Sequence, residues 1–192
     1  MKNSGVQLSI VLPTINEEEN LRLLIPEIIE SLKETELNDF EILVMDDGSS
    51  DNTEELISIL NQESKFVKFI SRSNPPSLPM AIWDGIDSSR YDYVLWMDAD
   101  GSMPAEAVKT LISKLLDNPE SVIIGSRFVD GGAYKGILEL EEKSLIKAIL
   151  NVYKSNDTVL GMIFSNLFNK LLRFIFKSKV FDITSGFIVG KK

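Results

Sequence analysis

Short apolar segments alternate with longer amphipathic segments along this chain, and that alternation restricts the fold more than any other feature. Residues 8–12, 40–45 and 66–70 are apolar runs of strand length. Residues 17–34, between the first two runs, repeat apolar side chains at helical spacing: Leu21, Leu24, Ile25, Ile28, Ile29 and Leu32. Strands separated by helices form α/β domains around a mostly parallel sheet. The sequence therefore predicts the α/β class.

The alternation continues through the rest of the chain. Further strands are predicted at residues 91–97 and 121–125 and within 180–189. Further helices are predicted through Leu60, over residues 80–88, and from Pro104 to Leu116. A length of 192 residues is ordinary for one domain. We therefore expect one domain whose central sheet is flanked by helices.

Polar and acidic clusters follow three of the predicted strands. Residues 13–17 are Pro-Thr-Ile-Asn-Glu, residues 46–49 are Asp-Asp-Gly-Ser, and residues 98–100 are Asp-Ala-Asp. Ligands of open α/β sheets bind outside the carboxyl ends of the strands. Core packing does not account for these clusters, because carboxylates are rarely buried without a partner. The sequence therefore predicts a binding site at this edge of the sheet.

Asp98 and Asp100 are two residues apart at a strand end, so in extended backbone their side chains share one side. Two close carboxylates repel each other unless a cation lies between them. A hard divalent ion that also binds a substrate diphosphate would remove this repulsion. The alternative is a turn in which one Asp caps the helix that begins near Pro104.

Asp46 and Asp47 also allow two interpretations. One carboxylate can accept hydrogen bonds from a nucleobase N–H or a ribose hydroxyl. Alternatively, one Asp orders the turn while Gly48 adopts a positive φ. The chain has neither the GxGxxG nor the GxxxxGK[ST] motif, which argues against a Rossmann dinucleotide site and a P-loop.

The chain contains no cysteine and no histidine. This composition excludes disulfides, thiolate nucleophiles, Ser-His-Asp systems and zinc sites built on imidazole. Any chemistry must use carboxylates, hydroxyls, amides, Lys, Arg or the backbone. Any metal ion should be a hard cation that prefers oxygen ligands.

Charge is divided unequally along the chain. The first 142 residues carry 11 Lys and Arg against 27 Asp and Glu, whereas the remaining residues carry 9 against 2. The acidic part argues against nucleic acid as a partner, and the basic end indicates either an anionic partner or a solvated face. No signal-peptide pattern or apolar stretch of roughly 18 residues is visible. We therefore expect a cytoplasmic protein, or one bound peripherally to the cytosolic face of a membrane.

Residues 159–179 combine a wide apolar surface with a basic stripe. The polar side chains recur at helical spacing: Asn166, Asn169, Lys170, Arg173 and Lys177. One interpretation is a helix that lies in a membrane interface. The other is a core-facing helix whose basic stripe is solvated. Two observations favour the first interpretation: the basic charge after residue 142, and Arg127 at the end of the fifth predicted strand, because a guanidinium can hold a phosphate with two hydrogen bonds.

Five motifs occur together in order, at residues 12–21, 46–51, 97–100, 125–127 and 182–187. They resemble the family-two glycosyltransferases of GT-A fold, and most of all the dolichol-phosphate mannose synthase and polyprenyl-phosphate glycosyltransferase branch. The resemblance implies one GT-A catalytic domain over residues 1–192, with a variable helical, membrane-proximal acceptor insertion at 133–179. It also implies a GDP- or UDP-sugar donor, an Mg²⁺ or Mn²⁺ ion, inversion at the anomeric carbon and a lipid-phosphate acceptor.

The resemblance assigns roles residue by residue. The nucleotide-sugar pocket is expected to contain Pro13, Thr14, Asn16, Glu17, Asp46, Asp47 and Asp98. The metal is expected on Asp98 and Asp100, and the acceptor phosphate on Arg127 and Ser185. The catalytic set is expected to be Asp98, Asp100, Arg127 and Asp182. The sequence departs from the branch at Ser102, where Gln is frequent, and at residues 74–79, which replace a Gly-rich stretch.

Three alternative functions remain open. A transferase that acts on a sugar hydroxyl of a polysaccharide needs a base, for which Asp182 is the candidate; Asp182 can equally cap the turn at 184–186. A sugar nucleotidyltransferase is disfavoured because the turn at residues 13–17 is acidic rather than Gly-rich and basic. An inactive donor-binding module is the third, suggested by Ser102 and the altered 74–79 segment.

Overall fold

The computed structural model describes residues 5–126, 159–177, 180, 182 and 185–192. The strands are β1 Gln7–Thr14, β2 Asp39–Asp46, β3 Val67–Ser71, β4 Tyr93–Met97, β5 Ile123–Ile124 and β6 Phe187–Lys191. The helices are α1 Glu18–Lys33, α2 Thr53–Ser64, α3 Leu78–Ser88, α4 Ala105–Asp117 and α5 Val159–Phe176.

The six strands form one sheet in the order β3-β2-β1-β4-β6-β5. Strands β1 to β4 pair in parallel, whereas β6 runs antiparallel to both β4 and β5. The predicted α/β class and mostly parallel sheet are therefore confirmed. The parallel arrangement brings the carboxyl ends of β1, β2, β3 and β4 to the same edge.

The first strand is longer than the sequence predicts, because Pro13 does not end it. β1 continues through Pro13 to Thr14, and Pro13 is in register with Met45 of β2. On its other side β1 pairs with β4 only as far as Val11. Since Pro13 lies beyond that pairing, its missing N–H removes no hydrogen bond to β4.

The core packs on both faces of the sheet, which explains why the strand sequences are almost continuously apolar. Ile10 and its alternate neighbours pack in a large buried cluster with α1, α2 and α4. Val11 points to the opposite face, where it packs with Ala81 of α3. Gly85 lets α3 approach this face closely, because a Cβ there would overlap Val11.

The chain divides into two compact units, Met1–Ile124 with Gly186–Lys192, and Gly125–Ser185. The sheet belongs to the first unit and α5 to the second. Within the part of the chain that the structure describes, no helix is long and apolar enough to cross a membrane. Most of the predicted 133–179 insertion lies outside the described residues, so the insertion stays a prediction.

Candidate active site

A cleft of about 450 Å³ lies at the carboxyl ends of β1, β2 and β4. It is lined by Pro13, Thr14, Ile15, Glu17, Asp47, Pro76, Ser77, Leu78, Asp98, Ala99 and Asp100. All of these residues belong to the first unit. The structure thus brings together most of the pocket residues that the sequence predicts, and adds the turn before α3.

The two carboxylates that follow β4 are partly exposed, whereas Ala99 between them is buried. Asp100 Oδ1 accepts a hydrogen bond from the Ser102 backbone N–H at 2.8 Å. The residue before α4 is Pro104, whose side chain makes no capping hydrogen bond. Asp100 therefore orders the turn that leads into α4, and the alternative in which one of these aspartates caps the helix stays a prediction.

Gly186 lies directly against the Asp98 carboxylate. A Cβ built on Gly186 would stand 2.7 Å from Asp98 Oδ2 and 3.1 Å from its Cγ. Any residue with a Cβ at position 186 would therefore displace the Asp98 carboxylate from its observed position. Glycine at this point of the 182–187 motif therefore has a local steric reason.

The aspartates fit a divalent metal only with help from a ligand. Among the described residues, no group of three or more Asp, Glu, His or Cys side chains could hold a metal ion. Mg²⁺ is ordinarily bound through one or two carboxylates, with waters and substrate phosphates filling its other positions. Asp98 and Asp100 match that donor set, so a diphosphate would complete the site.

Asp46 orders the turn after β2. Its Oδ2 accepts hydrogen bonds from the backbone N–H groups of Gly48, at 3.0 Å, and Ser49, at 3.1 Å. Gly48 has a φ of 89°, which glycine adopts without steric cost. The structure does not place Asp46 among the residues that line the cleft. Asp46 therefore agrees with the interpretation in which one Asp orders the turn after the second strand.

Asp47 lines the cleft and is held by two donors. Its Oδ2 accepts from the Ser77 backbone N–H at 2.9 Å, and its Oδ1 accepts from Arg72 Nη1. Arg72 Nε donates to Asp84 Oδ2 at 2.8 Å. The hydrogen bond to Asp84 raises the pKa of the Arg72 guanidinium; burial opposes this effect, and Asp47 adds to it. Arg72 is therefore a charged donor to both carboxylates.

Arg72 and Ser77 were missed by the sequence reasoning. Arg72 directly follows β3, whose carboxyl end lies at the same edge of the sheet as those of β1, β2 and β4. The rule that selected the acidic clusters also applies to this position. Applied to the third strand, it would have found Arg72.

Asn16 joins the turns after β1 and β2. It has a φ of 55°, its N–H donates to Ser49 Oγ at 2.8 Å, and its Oδ1 accepts from the Ser50 N–H at 2.7 Å. Asn16 therefore supports the cleft without lining it. Glu17, by contrast, lines the cleft, and its Oε2 accepts from Asn20 Nδ2.

The structure describes one of the two predicted acceptor-phosphate residues, Ser185. Arg127 is not among the described residues. Asp182 and Ser185 are buried in the second unit, where the Ser185 hydroxyl donates to the Gly125 carbonyl oxygen. The Ser185 N–H also donates to the Asp182 carbonyl oxygen at 3.4 Å.

Comparison with known protein families shows which family the chain belongs to. Residues 9–192 match the model of Glycosyl transferase family 2. The chain belongs to glycosyl transferase family 2. The resemblance inferred from the five motifs is thereby confirmed.

Curated relatives of this family 2 chain include enzymes that act on polyprenyl phosphates. This chain is 38% identical over 128 residues to the dolichol-phosphate mannosyltransferase of Pyrococcus furiosus. The match covers 66% of this chain and 35% of the relative. The chain is 31% identical over 122 residues to the undecaprenyl-phosphate 4-deoxy-4-formamido-L-arabinose transferase of Proteus mirabilis, covering 63% and 36%. The chain thus spans about a third of the length of each of these relatives.

The fold of the family 2 chain is of GT-A type. Glucosyl-3-phosphoglycerate synthase from Mycobacterium tuberculosis, solved with Mn²⁺, UDP and phosphoglyceric acid, superposes with a TM-score of 0.62 at 19% identity. The match covers 98% of this chain and 57% of the synthase. At this identity the likeness establishes the fold alone.

Proposed function

We propose that this family 2 chain transfers a sugar, with inversion, from a nucleotide diphosphate to a polyprenyl phosphate. The observation that carries the proposal is the single cleft in which Asp47 and Ser77 lie together with Asp98 and Asp100. Its volume of about 450 Å³ is in the range of small-molecule sites. The names of the relatives, which act on dolichol and undecaprenyl phosphates, support the acceptor.

Two groups of residues in the cleft are proposed to bind the two ends of the nucleotide-sugar donor. Asp47, with Thr14 and Pro13, takes the base and ribose, because its buried carboxylate can accept hydrogen bonds from N–H and O–H groups. Asp98 and Asp100 take the diphosphate end, where they would hold Mg²⁺ or Mn²⁺. When bound, that ion supplies positive charge against the diphosphate leaving group.

The acceptor phosphate needs no base, because a phosphate monoester is already ionised near neutral pH. A reaction that needs no general base is compatible with a chain that lacks histidine. Arg127 and Ser185 are proposed to orient the acceptor phosphate. Asp182 is the proposed base only for the alternative in which a sugar hydroxyl is the acceptor.

The proposal also places α5 against an anionic membrane surface. Its exposed side chains are mostly large and apolar: Leu167, Phe168, Leu171, Phe174, Ile175 and Phe176. Asn169, from the polar stripe, is buried, whereas Lys170 and Lys177 are exposed. An exposed apolar face with exposed lysines is the composition of a helix that binds anionic lipid.

Flotation with vesicles of anionic lipid tests the membrane contact. We expect the chain to float with the vesicles at low salt and less at high salt, and Phe174→Glu to abolish flotation. Trp83→Glu is the matched control, because Trp83 is also a large, exposed aromatic side chain but lies on α3. No flotation of the wild-type chain, or equal loss in both variants, would contradict the contact.

A transfer assay with GDP- or UDP-sugars, a polyprenyl phosphate and Mn²⁺ tests the activity. Asp100→Asn should lower the rate at least about a hundredfold, because one of the two proposed metal ligands loses its charge. Wild-type transfer by Asp100→Asn would remove the metal assignment. Pyrophosphate-dependent exchange would favour a nucleotidyltransferase, and donor binding without turnover would favour an inactive module.

A further inference from the structure

Three charged side chains, two of them buried, form a connected group beside the cleft. The Arg72 guanidinium, only 3% exposed, donates through Nε to Asp84 and through Nη1 to Asp47. Asp47 is 7% exposed and lines the cleft, whereas Asp84 is 34% exposed and does not line it. Asp84 is therefore linked to the cleft-lining carboxylate of Asp47 through Arg72.

The group also fixes the turn before α3. Asp47 Oδ2, the oxygen that Arg72 does not bind, accepts the Ser77 backbone N–H at 2.9 Å. Ser77 is the residue before α3, and Leu78 begins that helix; both line the cleft. A displacement of the Asp47 carboxylate would therefore move a hydrogen-bonded part of the cleft wall.

The number of donors on Arg72 explains why Asp84 is needed. A guanidinium offers five N–H donors in a rigid planar fork. Arg72 Nη2 is buried and has no hydrogen-bond partner. Without the Asp84 carboxylate, Nε would lose its charged acceptor, and among the described residues Asp47 would be the one carboxylate still bonded to the guanidinium. The Arg72 guanidinium could then rotate so that Nε or Nη2 also donates to the Asp47 carboxylate. These donors would compete with the Ser77 backbone N–H for that carboxylate.

We propose that Asp84 is a positioning residue for the base-binding side of the donor cleft. By holding Arg72 Nε it fixes the orientation of the Asp47 carboxylate and, through the Ser77 N–H, the turn before α3. The inference rests on the proposed function, because it requires that Asp47 contacts the nucleobase or ribose. It adds a residue outside the cleft that controls how well the chain distinguishes one nucleobase from another.

Equilibrium binding of GDP, UDP and ADP with Mn²⁺ to the full chain tests this inference. For Asp84→Asn we expect the preferred nucleotide to bind at least about tenfold more weakly, and the ratio of Kd values between disfavoured and preferred nucleotides to fall at least about fivefold. Asp84→Glu should restore most of the discrimination, since it returns a charged acceptor to Arg72. Asp87→Asn is the matched control, because Asp87 is an exposed carboxylate of the same helix.

The outcomes separate the inference from its premise. If the wild-type chain binds none of the three nucleotides, both the proposed function and this inference fail. If the wild-type chain discriminates and Asp84→Asn does so equally well, only the inference fails. If Asp84→Asn weakens all three nucleotides by one common factor together with a lower Tm, Asp84 is merely structural and the inference is again overturned.

Discussion

Replacing Gly186 by alanine tests how exactly Asp98 must be placed. The new Cβ would stand 2.7 Å from Asp98 Oδ2, whereas ordinary contact begins near 3.4 Å, so the carboxylate must retreat by about 0.7 Å. Gly186 has no positive φ, and alanine can therefore adopt its backbone conformation without strain. A misplacement near 1 Å costs about a hundredfold in rate, so we expect a fall in kcat of about ten- to a hundredfold.

The assay is sugar transfer under saturating donor and Mn²⁺, together with the Tm of each variant. Gly190→Ala is the matched control: Gly190 lies in β6, which directly follows Gly186, and its Cβ would meet Val122 Cγ2 at 3.1 Å, away from the cleft. Gly190→Ala should lose stability but keep its kcat. Unchanged kcat in Gly186→Ala, or an equal loss in both variants, would refute the argument that Gly186 sets the position of Asp98.

Two further predictions concern stability. Gly85→Ala should destabilise the fold by about 1–3 kcal/mol in urea titrations, because its Cβ overlaps the fully buried Val11; equal or greater stability would contradict the close approach of α3. Burial raises the pKa of Glu41, but hydrogen bonds from the Lys68 side chain, the Arg90 backbone N–H and the Ser9 hydroxyl outweigh burial and hold that pKa below its usual value. Glu41 therefore stabilises the fold above its unfolded pKa, and this contribution disappears as the pH falls towards the lower folded pKa. Glu41→Gln should make stability depend less on pH between about pH 6 and pH 3; an unchanged pH dependence would contradict it.

Most of the sheet could be predicted because local patterns determine it. The apolar runs at 40–45 and 66–70 lie within one residue of β2 and β3, since strands buried on both faces are continuously apolar. The strand predicted within 180–189 overlaps β6, but the place of β6 in the sheet could not be predicted in the same way. Its position between β4 and β5, antiparallel to both, depends on pairing with distant residues, and no sequence periodicity encodes that pairing.

The site was predictable to the extent that topology determines it. Asp47 and Asp98 were found because they follow strands whose carboxyl ends share one edge of the sheet. Asp46 and its neighbour Asp47 accept hydrogen bonds from different groups, Gly48 N–H and Ser77 N–H respectively. The sequence does not specify these partners. Asp84 was beyond prediction because its ion pair joins a helix to a strand end, and only tertiary packing brings the two together.

Nucleotide-sugar binding to the cleft is the central claim, and a thermal-shift titration measures it most directly. A ligand at one hundred times its Kd stabilises the folded state by about 2.7 kcal/mol, which corresponds to a rise in Tm of about 5–11 °C for a chain of this size. We predict such a rise with a GDP- or UDP-sugar and Mn²⁺, and its loss when Asp98 and Asp100 are both replaced by Asn. No rise with any GDP- or UDP-sugar, or an undiminished rise in that double variant, would contradict the claim.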